Sequence, residues 1–319
     1  MLEGIPKISV LVICYNQEMV ISRAIESLLA QKDYIYEICV SDDCSKDRTW
    51  DILQEYSAKH PGLIVLHRNE PNVGIFENIE KTWTMPSGDL IYHLSGDDTC
   101  GEGWFKIIVD YIKEQGIDYK KEKFCIFGDY KAIYPNGDAM VFHNNLVSSG
   151  IDPIYLSLRT IVGNRSACYS INVLKQFEVV SQGRSHIAEA AQEIQLALFT
   201  DKFYYIPHVG NIYYTGIGVS TKTSTDKFFE ERQQIVPYAL SFLEKKGVTI
   251  APKFYVYMEA NLAEKAFINR KTIKNFFKFI VLKFRSYDKR IGLKSTGLKL
   301  TWISLVRRLP HKKPLIFNF

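Results

Sequence analysis

The 319-residue chain is 46% hydrophobic and 24% charged with a net charge of +5, the composition of a soluble globular protein with room for one large core, or one core plus a smaller module. No uninterrupted apolar run approaches the roughly 18 residues a spanning helix needs, and Met1 to Lys7 lacks the basic and apolar regions of a signal peptide. The net charge hides an asymmetry: Lys265 to the C-terminus holds 15 Lys and Arg against one acid, Asp288, a net of +14, leaving 25 basic and 34 acidic residues, a net of −9, in the first 264.

Ile8 to Cys14 is nearly all apolar and rich in β-branched residues, as in a central parallel strand covered on both faces. A polar turn, Tyr15-Asn16-Gln17-Glu18, follows. Ile21, Ala24, Ile25, Leu28 and Leu29 then recur at helical spacing. Ile35 to Val40 is a second strand, ended by Ser41-Asp42-Asp43-Cys44-Ser45-Lys46-Asp47. Ser45 or Asp47 is placed to cap a helix with Trp50, Ile52, Leu53 and Tyr56 inward. Pro61-Gly62 breaks that helix, and Leu63 to His67 is a third strand. After the loop Asn69 to Gly74 a helix runs to about Trp83. Ser87-Gly88 then turns the chain into a fourth strand, Asp89 to Leu94, which ends in Ser95-Gly96-Asp97-Asp98. Four strand–helix alternations with short links predict an α/β fold with a doubly wound parallel sheet.

Trp104 to Glu114 reads as a helix. Phe124 to Tyr134 and Ala139 to Phe142 flank Pro135-Asn136-Gly137-Asp138, a hairpin signal that predicts a switch to antiparallel pairing. Ile154 to Ile161, Ala188 to Phe199 and a strand from Tyr204 to Ile206 complete one domain over residues 1–223. Residues 224–319 are expected to be mostly helical. A helical wheel sets Lys271, Lys274, Lys278 and Arg285 on one side and Ile273, Phe276, Phe277, Ile280 and Phe284 on the other. Leu298 to Leu309 repeats the theme with Trp302, Arg307 and Arg308. Segregated cationic and apolar faces predict an anionic membrane surface as partner. No nucleic-acid partner is expected, because no recognised module accompanies the charge. The six cysteines form no C-x-x-C pair and have no His at metal spacing, as in a reduced cytoplasmic protein.

Three polar clusters end three apolar strands: Tyr15 to Glu18, Asp42-Asp43, and Ser95 to Asp98. Parallel strands in one sheet set all three along one edge. There, one carboxylate can accept hydrogen bonds from a base and ribose while another binds a hard cation on a diphosphate. Taken alone, each acid pair reads equally as a turn.

Together the clusters resemble the family 2 glycosyltransferases with the GT-A (Rossmann-like) fold, over Ile8 to about Ser220. Ser9 to Glu18 is similar to the family's opening strand and Tyr-Asn-x-Glu turn. Glu37 to Thr49 resembles its Asp-Asp-x-Ser-x-Asp signature, and Asn72-x-Gly74-x-x-x-Asn78 the segment before the metal motif. The resemblance implies an inverting transferase moving a sugar from a nucleotide-sugar, expected to be a UDP-sugar, to a saccharide or lipid-linked saccharide hydroxyl. Such an enzyme serves surface-polysaccharide synthesis, peripheral on the inner face of the cytoplasmic membrane. Tyr15, Asn16, Glu18, Asp42, Asp43, Asn72, Gly74, Asn78 and Asp97 would then hold the donor. Asp97 and Asp98 would hold Mg²⁺ or Mn²⁺, and Asn164 and Arg165 would lie on the acceptor side.

Two departures from the family pattern matter. Ser95 stands where the metal motif usually begins with an acid. Tyr213 to Thr221 matches a late Tyr- and Gly-rich segment but lacks the Arg and His many relatives carry there. Lys222 or a backbone N–H would have to replace them. The base position falls on Glu193, counted back from the strand Tyr204 to Pro207, with Glu189 one turn earlier as the alternative. His186 is expected at the surface or on the acceptor side. Two rivals remain: a sugar-nucleotidyltransferase, for which Cys14 to Gln17 offers no Gly-rich phosphate loop, and a catalytically impaired binding protein that kept the fold.

Overall fold

The computed structural model describes residues 4–143, 153–154, 166–179, 187–217, 237–269 and 272–285. The strands β1 (Ile8–Cys14), β2 (Ile35–Asp42), β3 (Ile64–Arg68) and β4 (Leu90–Ser95) stand in the order β3-β2-β1-β4 and pair in parallel. Past β4 the sheet continues through β8 (Ala167–Ser170), β6 (Phe124–Ile133) and β9 (Lys202–Tyr214) to β5 (Thr99–Cys100). β7 (Ala139–Phe142) pairs with β6 on the far side of the Pro135–Asp138 turn. β8 is antiparallel to both β4 and β6, and β9 is parallel to β6. β1, β2, β3, β4, β6 and β9 therefore run one way, and the sheet is mostly parallel, as expected.

The helices are α1 (Ile21–Leu29), α2 (Thr49–Lys59), α3 (Ile75–Thr82), α4 (Trp104–Gln115), α5 (Ile171–Leu174) and α6 (Ile187–Phe199). The pleat sends alternate residues of each strand to opposite faces. One face carries Val10, Val12, Tyr92, Leu94, Phe124 and Ile126 under Ile25 and Leu28 of α1, Leu53 of α2 and Trp104 and Phe105 of α4. The other carries Leu11, Cys39, Ile91, Cys125 and Phe127 under Val173 of α5 and Leu196 of α6. Each fully buried aliphatic side chain here is worth about 1.5–3 kcal/mol relative to leaving it exposed. That burial, more than local propensity, holds these runs in the sheet.

Two departures from the sequence reading bear on the site. The strand expected over Tyr204 to Ile206 continues through Pro207 to Tyr214. The register against β6 slips between Phe127 and Asp129, and a bulge there tolerates a residue with no N–H. β5 and β8, of two and four residues, are too short to leave a periodicity. Of the expected Ile154 to Ile161 segment, all but its first residue lies outside the described residues.

The chain divides into two compact units, Met1–Leu243 and Glu244–Phe319. In the second, α7 (Pro252–Asn269) and α8 (Ile273–Arg285) pack through Ala260, Ala263, Phe279 and Leu282. The wheel reading of α8 needs correction at Phe277. That residue is 59% exposed, on the same stripe as exposed Lys274, Lys278 and Arg285, because α8 turns Phe279 and Leu282 towards α7. Val281 joins this stripe at 52% exposure. Among the described residues no helix is long and apolar enough to cross a membrane.

Candidate active site

The register brings the three polar clusters together. Cys14 stands beside Asp42, and Ile13 stands between Ser41 and Ser95, so the loops after β1, β2 and β4 leave one edge side by side.

The first two loops are laced to each other. The Asn16 amide donates to the Ser45 hydroxyl (2.9 Å), while its side-chain Oδ1 accepts the Lys46 amide (2.8 Å). The Glu18 amide donates to Asp47 Oδ2 (3.1 Å), and Glu18 Oε2 accepts the Arg48 amide (2.9 Å). Partial burial pushes the Asp47 carboxyl up, but hydrogen bonds from the Thr49 hydroxyl and amide and the Glu18 amide outweigh it, and its pKa falls. Asn16 holds a left-handed φ of 50°, which Asn tolerates better than most side chains. Tyr15 beside it is 41% exposed, an aromatic face at the mouth of the cradle.

Asp42 and Asp43 are buried and bonded within the protein. Asp42 accepts the Ser45 amide (3.0 Å) and hydroxyl, with Arg68 Nε at 3.4 Å. Asp43 accepts the amides of Val73 (2.9 Å) and Gly74 (2.8 Å) and Asn69 Nδ2 (3.0 Å). Asn72 Nδ2 donates to the Asp43 carbonyl (2.7 Å). Asn78 is also buried, accepting the Ser41 hydroxyl and Asn69 Nδ2 and donating to the Ser41 carbonyl. Gly74 takes φ +91° where α3 begins. These residues build the cradle wall. Arg68 joins them, its guanidinium 5.2 Å from the Trp50 ring and donating to the Ser45 carbonyl (2.9 Å). A lone Arg at the end of a strand carries no sequence signal for that role.

The acid pair sits in a tight turn. The Asp98 amide donates to the Ser95 carbonyl (3.0 Å) and the Gly96 amide to the Ile13 carbonyl (2.9 Å). A Cβ on Gly96 would lie 2.3 Å from Gln17 Oε1 and 3.0 Å from the Ile13 carbonyl oxygen, so only glycine lets the pair approach β1 this closely. Asp97 and Asp98 are 8% and 2% exposed. Asp98 Oδ1 accepts the Tyr214 amide (3.3 Å), which brings the end of β9 to the pair. Arg23 of α1 donates to the Asp97 carbonyl (2.8 Å) and stacks 3.4 Å from the centre of the Tyr214 ring. The Tyr-rich segment was legible in the sequence; Arg23, one cation on an amphipathic helix, was not. Among the described residues no three or more His, Cys, Asp or Glu side chains converge as a metal site. Two adjacent carboxylates could hold a hard cation only if ligand and water supplied its remaining oxygens.

Glu193 lies on α6, 7% exposed, one turn before Leu196, which packs on the second sheet face. The backbone places Glu189 one turn earlier on the same helix; its side chain lies outside the described residues, as do Asn164, Arg165, His186 and Lys222. On that face His93 meets the Tyr169 hydroxyl at 2.7 Å, and burial lowers its pKa to about 4, so its ring is neutral at pH 7.

Comparison with known proteins places this geometry. Residues 9–120 match the family model "Glycosyl transferase family 2". The chain is 33% identical over 93 residues to a protein named putative glycosyltransferase EpsE of Bacillus subtilis, covering 29% of this chain and 34% of that one. It is 25% identical over 213 residues to chondroitin synthase of Escherichia coli, covering 66% of this chain and 28% of that one. Its match spans about a third of the length of the curated relatives it matches first. The crystal structure of S. aureus TarS 1-349 in complex with UDP-GlcNAc superposes with a TM-score of 0.57 at 16% identity, covering 89% of this chain and 82% of that one. The fold is GT-A.

Proposed function

We propose, from the match of residues 9–120 to the glycosyl transferase family 2 model, that the protein is an inverting glycosyltransferase using a nucleotide-sugar, specifically a UDP-sugar, with a saccharide or lipid-linked saccharide as acceptor. The observation that carries this is the meeting of the laced β1 and β2 loops with the Asp97–Asp98 turn at one sheet edge. A neighbour of the same fold was solved with UDP-GlcNAc, and a relative is a chondroitin synthase, which supports surface-polysaccharide synthesis as the setting.

In this reading Tyr15 stacks on the base, and the Asp42–Asp43 loop, tied by Asn72, Gly74 and Asn78, shapes the nucleoside wall. Asp97 and Asp98 would hold Mg²⁺ or Mn²⁺, which supplies charge neutralisation for the departing diphosphate. Arg23 keeps the pair's turn in place. The acceptor hydroxyl attacks C1 from the face opposite the diphosphate, the new C1–O bond forming as the C1–O–phosphate bond breaks, with inversion. Glu193 takes the hydroxyl proton. Ser95 cannot replace the usual first acid, so cation binding is expected to depend on the nucleotide.

The test is thermal shift and nucleotide release with UDP-, GDP- and dTDP-sugars, with and without Mn²⁺. Saturation at about 100 times Kd stabilises by about 2.7 kcal/mol. A Mn²⁺-dependent shift with UDP-sugars and slow UDP release is expected, both lost in Asp97→Ala. Glu193→Gln should keep the shift and lose transfer. Nucleotide binding without turnover by the wild type would favour the impaired binding protein, which Ser95 motivates. No shift with any nucleotide would end the proposal.

The exposed stripe of α8, Lys274, Phe277, Lys278, Val281 and Arg285, interleaves cations with apolar side chains and supports docking on an anionic membrane surface. Salt-sensitive binding of the full chain to vesicles containing anionic lipid is expected. Equal recovery with neutral vesicles would refute it.

A further inference from the structure

A second polar cluster stands on the same sheet face as α6, away from the cradle. Asp129 is 3% exposed at the register break between β6 and β9. Its Oδ1 accepts the Tyr205 hydroxyl (2.8 Å) and its Oδ2 meets His143 Nδ1 (2.8 Å). Burial and then the neighbouring carboxylate raise the Tyr205 pKa to about 12, so at neutral pH the phenol is a donor. A carboxylate only accepts, so His143 Nδ1 carries the ring hydrogen. In the neutral imidazole Nε2 is then left as an acceptor. The His143 side chain is 63% exposed.

The register fixes where this cluster lies. Tyr92 of β4 is level with Cys168, and Cys168 with Ile126 of β6. Three residues further along, Ser95 and Asp129 are level with each other, two strands apart, which is about 10 Å. Ser95 and Asp129 also share a face, since each is an odd number of residues from Tyr92 and Ile126, which point the other way. The cluster therefore stands at the height of the acid-pair turn, displaced from the donor loops towards the β6–β7 hairpin.

We propose that the Asp129-oriented imidazole of His143 is a binding site for a hydroxyl of the acceptor saccharide, with Nε2 accepting the hydroxyl hydrogen. Asp129 and Tyr205 are positioning residues that fix the ring's tautomer and direction, as a carboxylate does for histidines elsewhere. A hairpin latch without ligand would use the same Asp–His contact, so the test must read saccharide and not only stability. The proposal rests on the glycosyltransferase reading and names its acceptor side.

The experiment uses the full chain with UDP and Mn²⁺ and four probes, the p-nitrophenyl β-glycosides of glucose, galactose, GlcNAc and GalNAc, followed by saturation-transfer NMR. At least one glycoside is expected to bind the wild type. His143→Ala should weaken it tenfold or more. His143→Gln, whose amide oxygen can accept, should recover part of the loss, and Asp129→Asn should fall between. The UDP thermal shift should be the same in all four proteins. Undiminished binding to His143→Ala, or no binding of any glycoside to a wild type that still shows the UDP shift, overturns the site. Absence of the UDP shift in the wild type overturns the glycosyltransferase reading instead.

Discussion

Gly101 offers the sharpest test of how β9 is brought to the acid pair. Its amide donates to the Gly210 carbonyl (2.9 Å), and that carbonyl also accepts the buried Tyr92 hydroxyl (2.7 Å). A Cβ on Gly101 would sit 1.7 Å from the Val209 carbonyl oxygen. Reaching ordinary contact at 3.4 Å opens the β5–β9 pair by about 1.7 Å. Gly101→Ala therefore loses one backbone hydrogen bond, about 1 kcal/mol, and strands the Tyr92 hydroxyl, about 1–3 kcal/mol. We expect a loss of about 3 kcal/mol, which at about 2–4 °C per kcal/mol lowers Tm by about 6–12 °C. The UDP shift in Mn²⁺ should weaken too, because the strand that moves carries Tyr214 to Asp98. Gly103→Ala is the control. Its φ is +67° with nothing within 4 Å, so it should cost about 1–2 kcal/mol of backbone strain and leave nucleotide binding alone. Urea melts of both variants within 0.5 kcal/mol of wild type, with unchanged UDP shifts, would refute the reasoning.

Arg23→Ala removes the hydrogen bond to the Asp97 carbonyl and the stack on Tyr214. We expect UDP affinity in Mn²⁺, read by calorimetry, to fall at least tenfold, and Arg23→Lys to restore little of it because the planar guanidinium is lost. Asp43→Asn would turn an amide NH₂ towards a site supplied by three N–H donors. Urea unfolding should show a loss of about 2 kcal/mol, and no loss would mean the Asn72–Gly74 loop is held by something else. His93 has its folded pKa lowered to about 4 from 6.5, so the unfolded chain binds more protons between those values. Its contribution is present above about pH 6.5 and is lost as pH falls towards 4. The stability difference between pH 7 and pH 5 should shrink in His93→Gln, and an unchanged difference would assign the acid sensitivity to other groups.

The strands β1, β2 and β4 could be read from the sequence because burial on both faces demands unbroken apolar runs, β3 from the short apolar run after Pro61-Gly62 although it is an edge strand with Val65 40% exposed, and α1 because Ile21, Ala24, Ile25 and Leu28 mark its one buried face. β5 and β8 could not, since two- and four-residue strands exist only through their partners. Within the site, the acids, Tyr15 and the Tyr213–Tyr214 segment stood out by type and order. What could not be read was the division of labour. Asp43 looks like a ligand-facing acid until Val73, Gly74 and Asn69 are seen to occupy its oxygens. Arg23 and the Asp129–His143 pair depend on contacts between residues 14 to 191 positions apart in sequence, which no local pattern records.

The left-handed turn between Asp43 and Ser45 has a practical consequence. Cys44, at φ 60°, is the one cysteine of six that is not buried. Burial, with neighbouring carboxylates in the cases of Cys14 and Cys39, raises the thiol pKa of Cys14, Cys39, Cys100, Cys125 and Cys168, so those five are slow nucleophiles. A maleimide dye should therefore label the unmodified folded chain at a single point on the wall of the nucleoside cradle. The protein carries its own fluorescent reporter position, and donor binding can be followed by emission changes without engineering a cysteine or removing one.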